Sequence, residues 1–194
     1  LRESTATFGI PDILINCAGR SYPAYFEEIT CEQFDQTMKI NLYGIWHVIS
    51  VLFPLMKEKG GHIINISSMA GFIGVFGFTD YAASKFGIIG FSEALRSEGK
   101  QYGIKVSVVC PADTDTPSFQ VENRTKPPET AAVSEAARLF QPEEIAAVLC
   151  RKIHSNAFLI IPGLMPKLTY YLKRFAPGLV ESIMDRIIRR TQNR

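Results

Sequence analysis

Short β-branched runs alternate in this chain with longer stretches of helical spacing. Asp12-Ile13-Leu14-Ile15-Asn16, closed by Ala18-Gly19, reads as a strand buried on both faces of a parallel sheet. Over 30–59 the apolar positions Phe34, Met38, Ile40, Leu42 and Ile45, with Thr30 as N-cap and Gly60-Gly61 as the stop, predict one long helix. His62-Ile63-Ile64-Asn65-Ile66-Ser67 is the next strand, 81–102 the next helix with Gly103 ending it, and Lys105-Val106-Ser107-Val108-Val109-Cys110 a third strand broken by Pro111. Strict alternation of this kind predicts right-handed βαβ crossovers and a doubly wound parallel sheet, one α/β domain over 1–194. The stretch 111–140 is rich in Pro, Thr, Asp and Asn with little periodicity, and an excursion of that length is expected to be functional, here a substrate lid. A helix over 141–154, a last strand at Ala157-Phe158-Leu159-Ile160-Ile161 and a helical tail over 162–194 complete the reading.

Composition narrows the partners. The 194 residues are 46% hydrophobic and carry a formal charge of +2, which suits a soluble globular domain with a sizeable core. Cations are scattered until the C-terminus, so no basic stripe tracks phosphates and nucleic acid is not an expected partner. Cys17, Cys31, Cys110 and Cys150 lie far apart without CxxC spacing, and His47, His62 and His154 are as widely separated, so free thiols and no metal site are expected. No uninterrupted apolar run reaches the roughly 18 residues of a membrane span, and 1–8 lack the layout of a signal peptide; the expected address is cytoplasmic. In the tail, Leu164, Leu168, Tyr171, Leu172, Leu179, Ile183, Ile187 and Ile188 recur at helical spacing beside Lys167, Lys173, Arg174, Arg186, Arg189, Arg190 and Arg194. Such a basic amphipathic face suits peripheral contact with an anionic membrane, but covering a pocket or a neighbouring subunit is the preferred reading, because folded domains routinely bury such stripes. The helices over 30–59 and 81–102 are apolar on more than one face, as a subunit interface requires.

Chemistry enters at Tyr81-Ala82-Ala83-Ser84-Lys85, because residues four apart on a helix share a face and a phenol then stands beside an ammonium. A nearby positive charge favours the phenolate, so Lys85 is expected to draw Tyr81 down from ~10 towards neutrality, making it a general acid or base. By itself a YxxxK pair also occurs by chance on surface helices. Around it stand Asn16-Cys17-Ala18-Gly19 after the first strand, Asn41 in the long helix, Ser67-Ser68 after the second strand and Pro111 after the third. All but Asn41 fall at strand C-terminal ends, where open parallel sheets bind ligands.

This ordered set resembles the short-chain dehydrogenase/reductase family, over essentially the whole chain through Thr116. The resemblance implies a Rossmann-like fold and NAD(P)-dependent hydride transfer between nicotinamide and a carbonyl or alcohol carbon. It implies that Tyr81 is the catalytic acid/base, that Lys85 lowers its pKa and contacts the nicotinamide ribose, and that Ser68 hydrogen-bonds the substrate oxygen. It further implies that Asn41 holds a water in a proton relay, that Asn16, Ala18 and Gly19 pack against the cofactor, and that Pro111, Ala112, Thr114 and Thr116 cradle the carboxamide. Cys17 and Ala112 depart from the asparagine and glycine usual at their positions, and alanine tolerates a positive φ poorly. Phe72, Phe76 and Phe78, with Gly71, Gly74 and Gly77, suit ordinary core or a flexible apolar substrate wall. No glycine-rich phosphate turn precedes Asn16, so the nucleotide-binding first part is expected to lie outside this chain. Phe76-Gly77-Phe78-Thr79-Asp80-Tyr81, Asp113-Thr114-Asp115-Thr116-Pro117 and Glu122-Asn123-Arg124-Thr125-Lys126-Pro127 resemble the 3-ketodihydrosphingosine-reductase-like branch. That branch implies NADP rather than NAD, a hydrophobic ketone as the small-molecule substrate, and a homodimer or homotetramer. A dehydrogenase of another small hydrophobic alcohol or ketone is the alternative. A non-catalytic relative serving binding or assembly is a rival of a different class, disfavoured because all four catalytic positions carry competent residues.

Overall fold

A computed structural model of the chain describes residues 1–193; Arg194, counted above among the tail cations, lies outside them. After a short helix α1 (Arg2–Phe8), strand β1 (Ile13–Asn16) leads through α2 (Cys31–Met38) and α3 (Gly44–Met56) to β2 (Gly61–Ile66), and α4 (Thr79–Gly99) leads to β3 (Ile104–Val109). The four strands described are all parallel and ordered β1-β2-β3-β4, β4 being Leu159–Ile160. β3 is buried on both faces apart from Lys105, but β1, expected to be buried on both, is not: Ile13 and Ile15 are 39% and 45% exposed while Leu14 packs inward.

Helices cover both faces. Ile45, Ile49, Leu52 and Met56 of α3 and Ile88 and Leu95 of α4 pack on Ile63 and Val106, whereas Val148 and Leu149 of α7 (Pro142–Lys152) and Ile153 just after it meet Ile64, Val109 and Ile160 on the other side. The strand order advances in one direction throughout, so the β3–β4 crossover has the opposite hand to the two before it. That departs from the expected right-handed rule. The long excursion between β3 and α7 supplies the slack for the chain to change faces, and it is itself helical, with α5 (Pro117–Glu122) and α6 (Pro128–Glu135). His62 joins sheet to α7: one ring nitrogen donates to the Ile153 carbonyl at 2.9 Å, the other lies 2.9 Å from Ser107 Oγ, and burial holds its pKa down.

The expected helix over 30–59 starts as predicted. Thr30 Oγ1 accepts from Gln33 N at 3.2 Å and Thr30 N donates to the Gln33 side chain at 2.9 Å, a capping box. It is not uniform, because α2 and α3 are joined by a π-helical stretch, Lys39–Tyr43. The continuous helix Cys31–Met56 reaches a mean hydropathy of 1.2 over 18 residues and is long and apolar enough to cross a membrane, although polar side chains interrupt every apolar run in it. The tail forms α8 (Leu164–Phe175) and α9 (Pro177–Gln192), the latter lying along α6.

Candidate active site

The start of α4 is fixed by Asp80, which is fully buried: its Oδ1 accepts from Tyr81 N at 2.7 Å and its Oδ2 from Thr37 Oγ1 at 2.6 Å. An acid in the first turn also suits the helix dipole. The half-buried Tyr81 ring lies tilted on Phe78 with centroids 5.4 Å apart. One turn on, Lys85 Nζ lies 5.4 Å from the Tyr81 ring centroid and donates to the Ile66 carbonyl at 3.0 Å. Ser68 stands at the end of β2, accepting from Ala70 N at 3.1 Å and hydrogen-bonding the Tyr81 phenol. Tyr81, Lys85 and Ser68 thus meet at one place.

Their electrostatics differ from the expectation. Burial pushes the Tyr81 phenol above its usual 10; the Ser68 bond opposes the rise, the Glu122 and Asp113 carboxylates and Cys110 add to it, and Lys85 is not among the groups that lower it. Burial also takes Lys85 down to about 8 and pushes the Cys110 thiol up to about 12. Loss of water outweighs attraction between the two groups, favouring the neutral form of each. At neutral pH the phenol keeps its proton and is poised to donate it.

The remaining positions divide. Asn41, turned inward by the π-helical stretch, accepts from Arg20 N at 2.8 Å and donates to Arg20 O and Ser84 Oγ at 2.9 Å each. Its side chain braces the turn after β1. Asn16 Nδ2 donates to Asn65 Oδ1 at 2.8 Å, and Asn65 to Ser92 at 2.8 Å, so this side chain ties β1 to β2 and α4 within the fold. Neither asparagine, nor Ala18, lines the cleft; Cys17 and Gly19 do. A Cβ on Gly19 would lie 3.4 Å from Asn41 Oδ1 and 3.6 Å from Lys85 Nζ, so the bare glycine keeps the floor open beside the lysine. Pro111, Ala112, Thr114 and Thr116 all line the cleft. Ala112 is accommodated without any positive φ, because the turn is stapled to Phe140: Phe140 N donates to Asp113 O at 2.9 Å and Asp115 N to Phe140 O at 2.8 Å. Thr116 caps α5, accepting from Phe119 N at 3.2 Å. Ser67, buried, donates to the Lys85 carbonyl at 2.9 Å and is structural.

The phenylalanine cluster splits as well. Phe78 and Val75 form cleft wall, while Phe72 packs edge-on against Tyr170 of α8 at 5.1 Å and Phe76 against Tyr25 at 6.0 Å. Gly71 is not a flexible point: a Cβ there would lie 2.5 Å from Ser67 Oγ and 2.9 Å from the Lys85 carbonyl, so it permits close approach to α4. The cleft, about 310 Å³, is closed on its outer side by Phe119, Glu122, Val133 and Ser134, with Lys126 behind them. Sequence reading named no role for Asp80, Thr37, Glu122 or Lys126. Asp80 carried a local signal, an acid in the first turn of a helix, and Glu122 and Lys126 another, opposite charges four residues apart.

The donor set fits the nicotinamide end of a dinucleotide. Lys85 uses one of its donors on Ile66 and stands beside the open Gly19 floor, and the hydroxyls of Thr114 and Thr116 border the same space.

A family model described as short chain dehydrogenase matches residues 1–127. The chain is 43% identical over 171 residues to a 3-ketodihydrosphingosine reductase of Dictyostelium discoideum, covering 87% of this chain and 50% of that one. It is 38% identical over 150 residues to an acetoacetyl-CoA reductase of Acinetobacter sp., covering 77% of this chain and 60% of that one. It therefore spans about half the length of the first of these relatives. A short chain dehydrogenase of Burkholderia cenocepacia, solved in complex with NADP, superposes with a TM-score of 0.79 at 19% identity over 94% of this chain and 72% of its own, a likeness of fold. With the motif order of Asn16 to Thr116, the joined Ser68, Tyr81 and Lys85, and a family match over the first two-thirds of its length, this chain belongs to the short-chain dehydrogenase/reductase family.

Proposed function

We propose that the protein reduces a lipophilic ketone with NADP(H), the substrate resembling 3-ketodihydrosphingosine. The observation that carries this reading is the meeting of Tyr81, Lys85 and Ser68 in a cleft whose walls include Val75, Phe78 and Phe119. The nicotinamide, when bound, supplies hydride to the carbonyl carbon. Ser68 and Tyr81 hold the carbonyl oxygen by hydrogen bonds that strengthen as negative charge develops there. Tyr81, still protonated at neutral pH, delivers its proton to that oxygen. Lys85 binds the cofactor ribose and helps return a proton to the phenol. The preference for NADP over NAD and the long-chain substrate rest on the named relatives and on the sequence resemblance. The partners we propose are a second copy of the chain along α3 and α4, and a cytoplasmic membrane surface along α8 and α9.

Cofactor oxidation by the full-length protein, followed with a panel of long- and short-chain ketones and with NADH and NADPH separately, tests the reading. Turnover with NADPH and a long-chain 3-ketone is expected. Turnover confined to short polar ketones would exchange the substrate for another, and none with any ketone or alcohol would leave a binding role.

A further inference from the structure

The outer wall of the cleft is held by charge. α5 has six residues, none of them buried, a length at which a helix has little stability of its own. Its Phe119 and Glu122 line the cleft. Glu122 is gripped from two sides: Ser21, in the turn after β1, donates to Oε2, and Lys126 Nζ lies 2.9 Å from Oε1. The same ammonium lies 4.0 Å from the Phe119 ring centroid and donates to Ser134 Oγ of α6 at 3.3 Å, and Ser134 donates to Asp113 at the end of β3. The Lys126 and Glu122 side chains are 3% and 13% exposed, so the pair is desolvated, and removing one partner leaves a buried charge unmatched.

We propose that Glu122 and Lys126 are positioning residues for the substrate: the pair clamps the Phe119 ring into the cleft wall, where it meets the apolar chain of the ketone, and joins the turn after β1, α5 and α6 into one surface. This rests on the proposed function. Because the pair acts through Phe119 on binding common to ground and transition states, its loss raises KM more than it lowers kcat.

The test uses the full-length protein with Lys126→Met, which keeps the unbranched stem and removes the charge, and with the double variant Glu122→Gln/Lys126→Met, which removes both charges and leaves Ser21 an acceptor. In both variants, KM for a long-chain ketone should rise about tenfold while KM for NADPH stays within about twofold, because each lacks the ion pair and the ammonium that hold Phe119. Amide hydrogen exchange over 117–126, measured without substrate, should quicken about tenfold in both. A folded Lys126→Met with wild-type exchange and wild-type KM overturns the clamp, as does a double variant that behaves as the wild type. Should Lys126→Met fail to fold, Glu122→Gln carries the same two readouts with the same decisive outcomes. Should the wild type reduce no ketone, the proposed function falls, and the exchange measurement still decides for or against the clamp.

Discussion

Replacing Tyr81 by Phe keeps the ring and its contact with Phe78 but removes the proton, so ketone reduction should fall by at least ~10²-fold, read by steady-state kinetics. A Tyr81→Phe enzyme of near-normal turnover contradicts the mechanism. Lys85 sets a pH limit: with its pKa at about 8 rather than 10.5, the ammonium is present below about 8 and lost above it. kcat/KM for NADPH should therefore be level on the acid side and fall as pH passes about 8, while the raised phenol adds no fall below the ordinary tyrosine range. A profile flat to about pH 10 would show that Lys85 keeps its ordinary pKa in the working enzyme or that its ammonium is dispensable, and Lys85→Met, active only in the second case, separates the two. These residues were readable because four-residue spacing on a helix is local information. The direction in which Tyr81 shifts was not, because it depends on how much water the fold removes and on the charges of Glu122 and Asp113, which are distant in sequence. The side-chain bond of Asn16 was hidden for a related reason: its partner Asn65 is 49 positions away, and the register of β1 on β2 brings them together.

Elements follow the sequence where periodicity is strong and depart from it where tertiary contacts choose. The strands and the capped start at Thr30 came from pattern alone, whereas the π-helical stretch around Asn41 answers to Arg20 and Ser84, which helical spacing does not encode. α5 and α6 were hidden by the Pro, Thr and Asn content of 111–140; Pro117 and Pro128 in fact stand at helix starts, where a missing N–H costs nothing. Gly77 shows what seats α6. Its φ is +76°, and a Cβ there would lie 2.4 Å from Thr130 Oγ1, which donates to the Phe76 carbonyl at 2.8 Å. Gly77→Ala should cost about 2 kcal/mol or more, from the left-handed backbone and the overlap together. Urea denaturation checks this, and an equally stable variant would mean that α6 is not seated through Gly77.

At the scale of the whole molecule, two of the apolar surfaces left uncovered among the described residues bear on partners. Along α3 and α4, Tyr43, Trp46 and Phe86 are about half exposed around a hollow of about 440 Å³ lined by Leu42, Gly87 and Phe91. A second copy laid on this face would bury them, so light scattering at micromolar concentration should give at least a dimeric mass, reduced to the monomer by Trp46→Glu with Phe86→Glu. A monomeric wild type excludes that assembly. The tail presents the other surface, and its apolar positions divide between two faces. Val180 is buried and Leu172, Ile187 and Ile188 are half-buried, with α9 held along α6, whereas Leu164, Leu168, Tyr171 and Phe175 form one exposed stripe on α8, continued by Leu179 and Ile183 on α9. Covering the fold therefore accounts for only part of the tail. Lys167 and Arg174 each precede a stripe residue by one position, about 100° around the helix, where cations flank an apolar face lying in a membrane interface. Truncation after Pro162 would not isolate this role, because Gln192 donates to Glu129 of α6 at 3.2 Å and removing α9 would disturb the cleft wall. Leu168→Glu with Phe175→Glu alters the exposed stripe alone. The full-length wild type should sediment with anionic liposomes at low salt and release as salt rises, the double variant should stay in solution, and both should turn over a short soluble ketone alike. Equal sedimentation of wild type and variant, or none of either at low salt, removes the membrane from the function of α8.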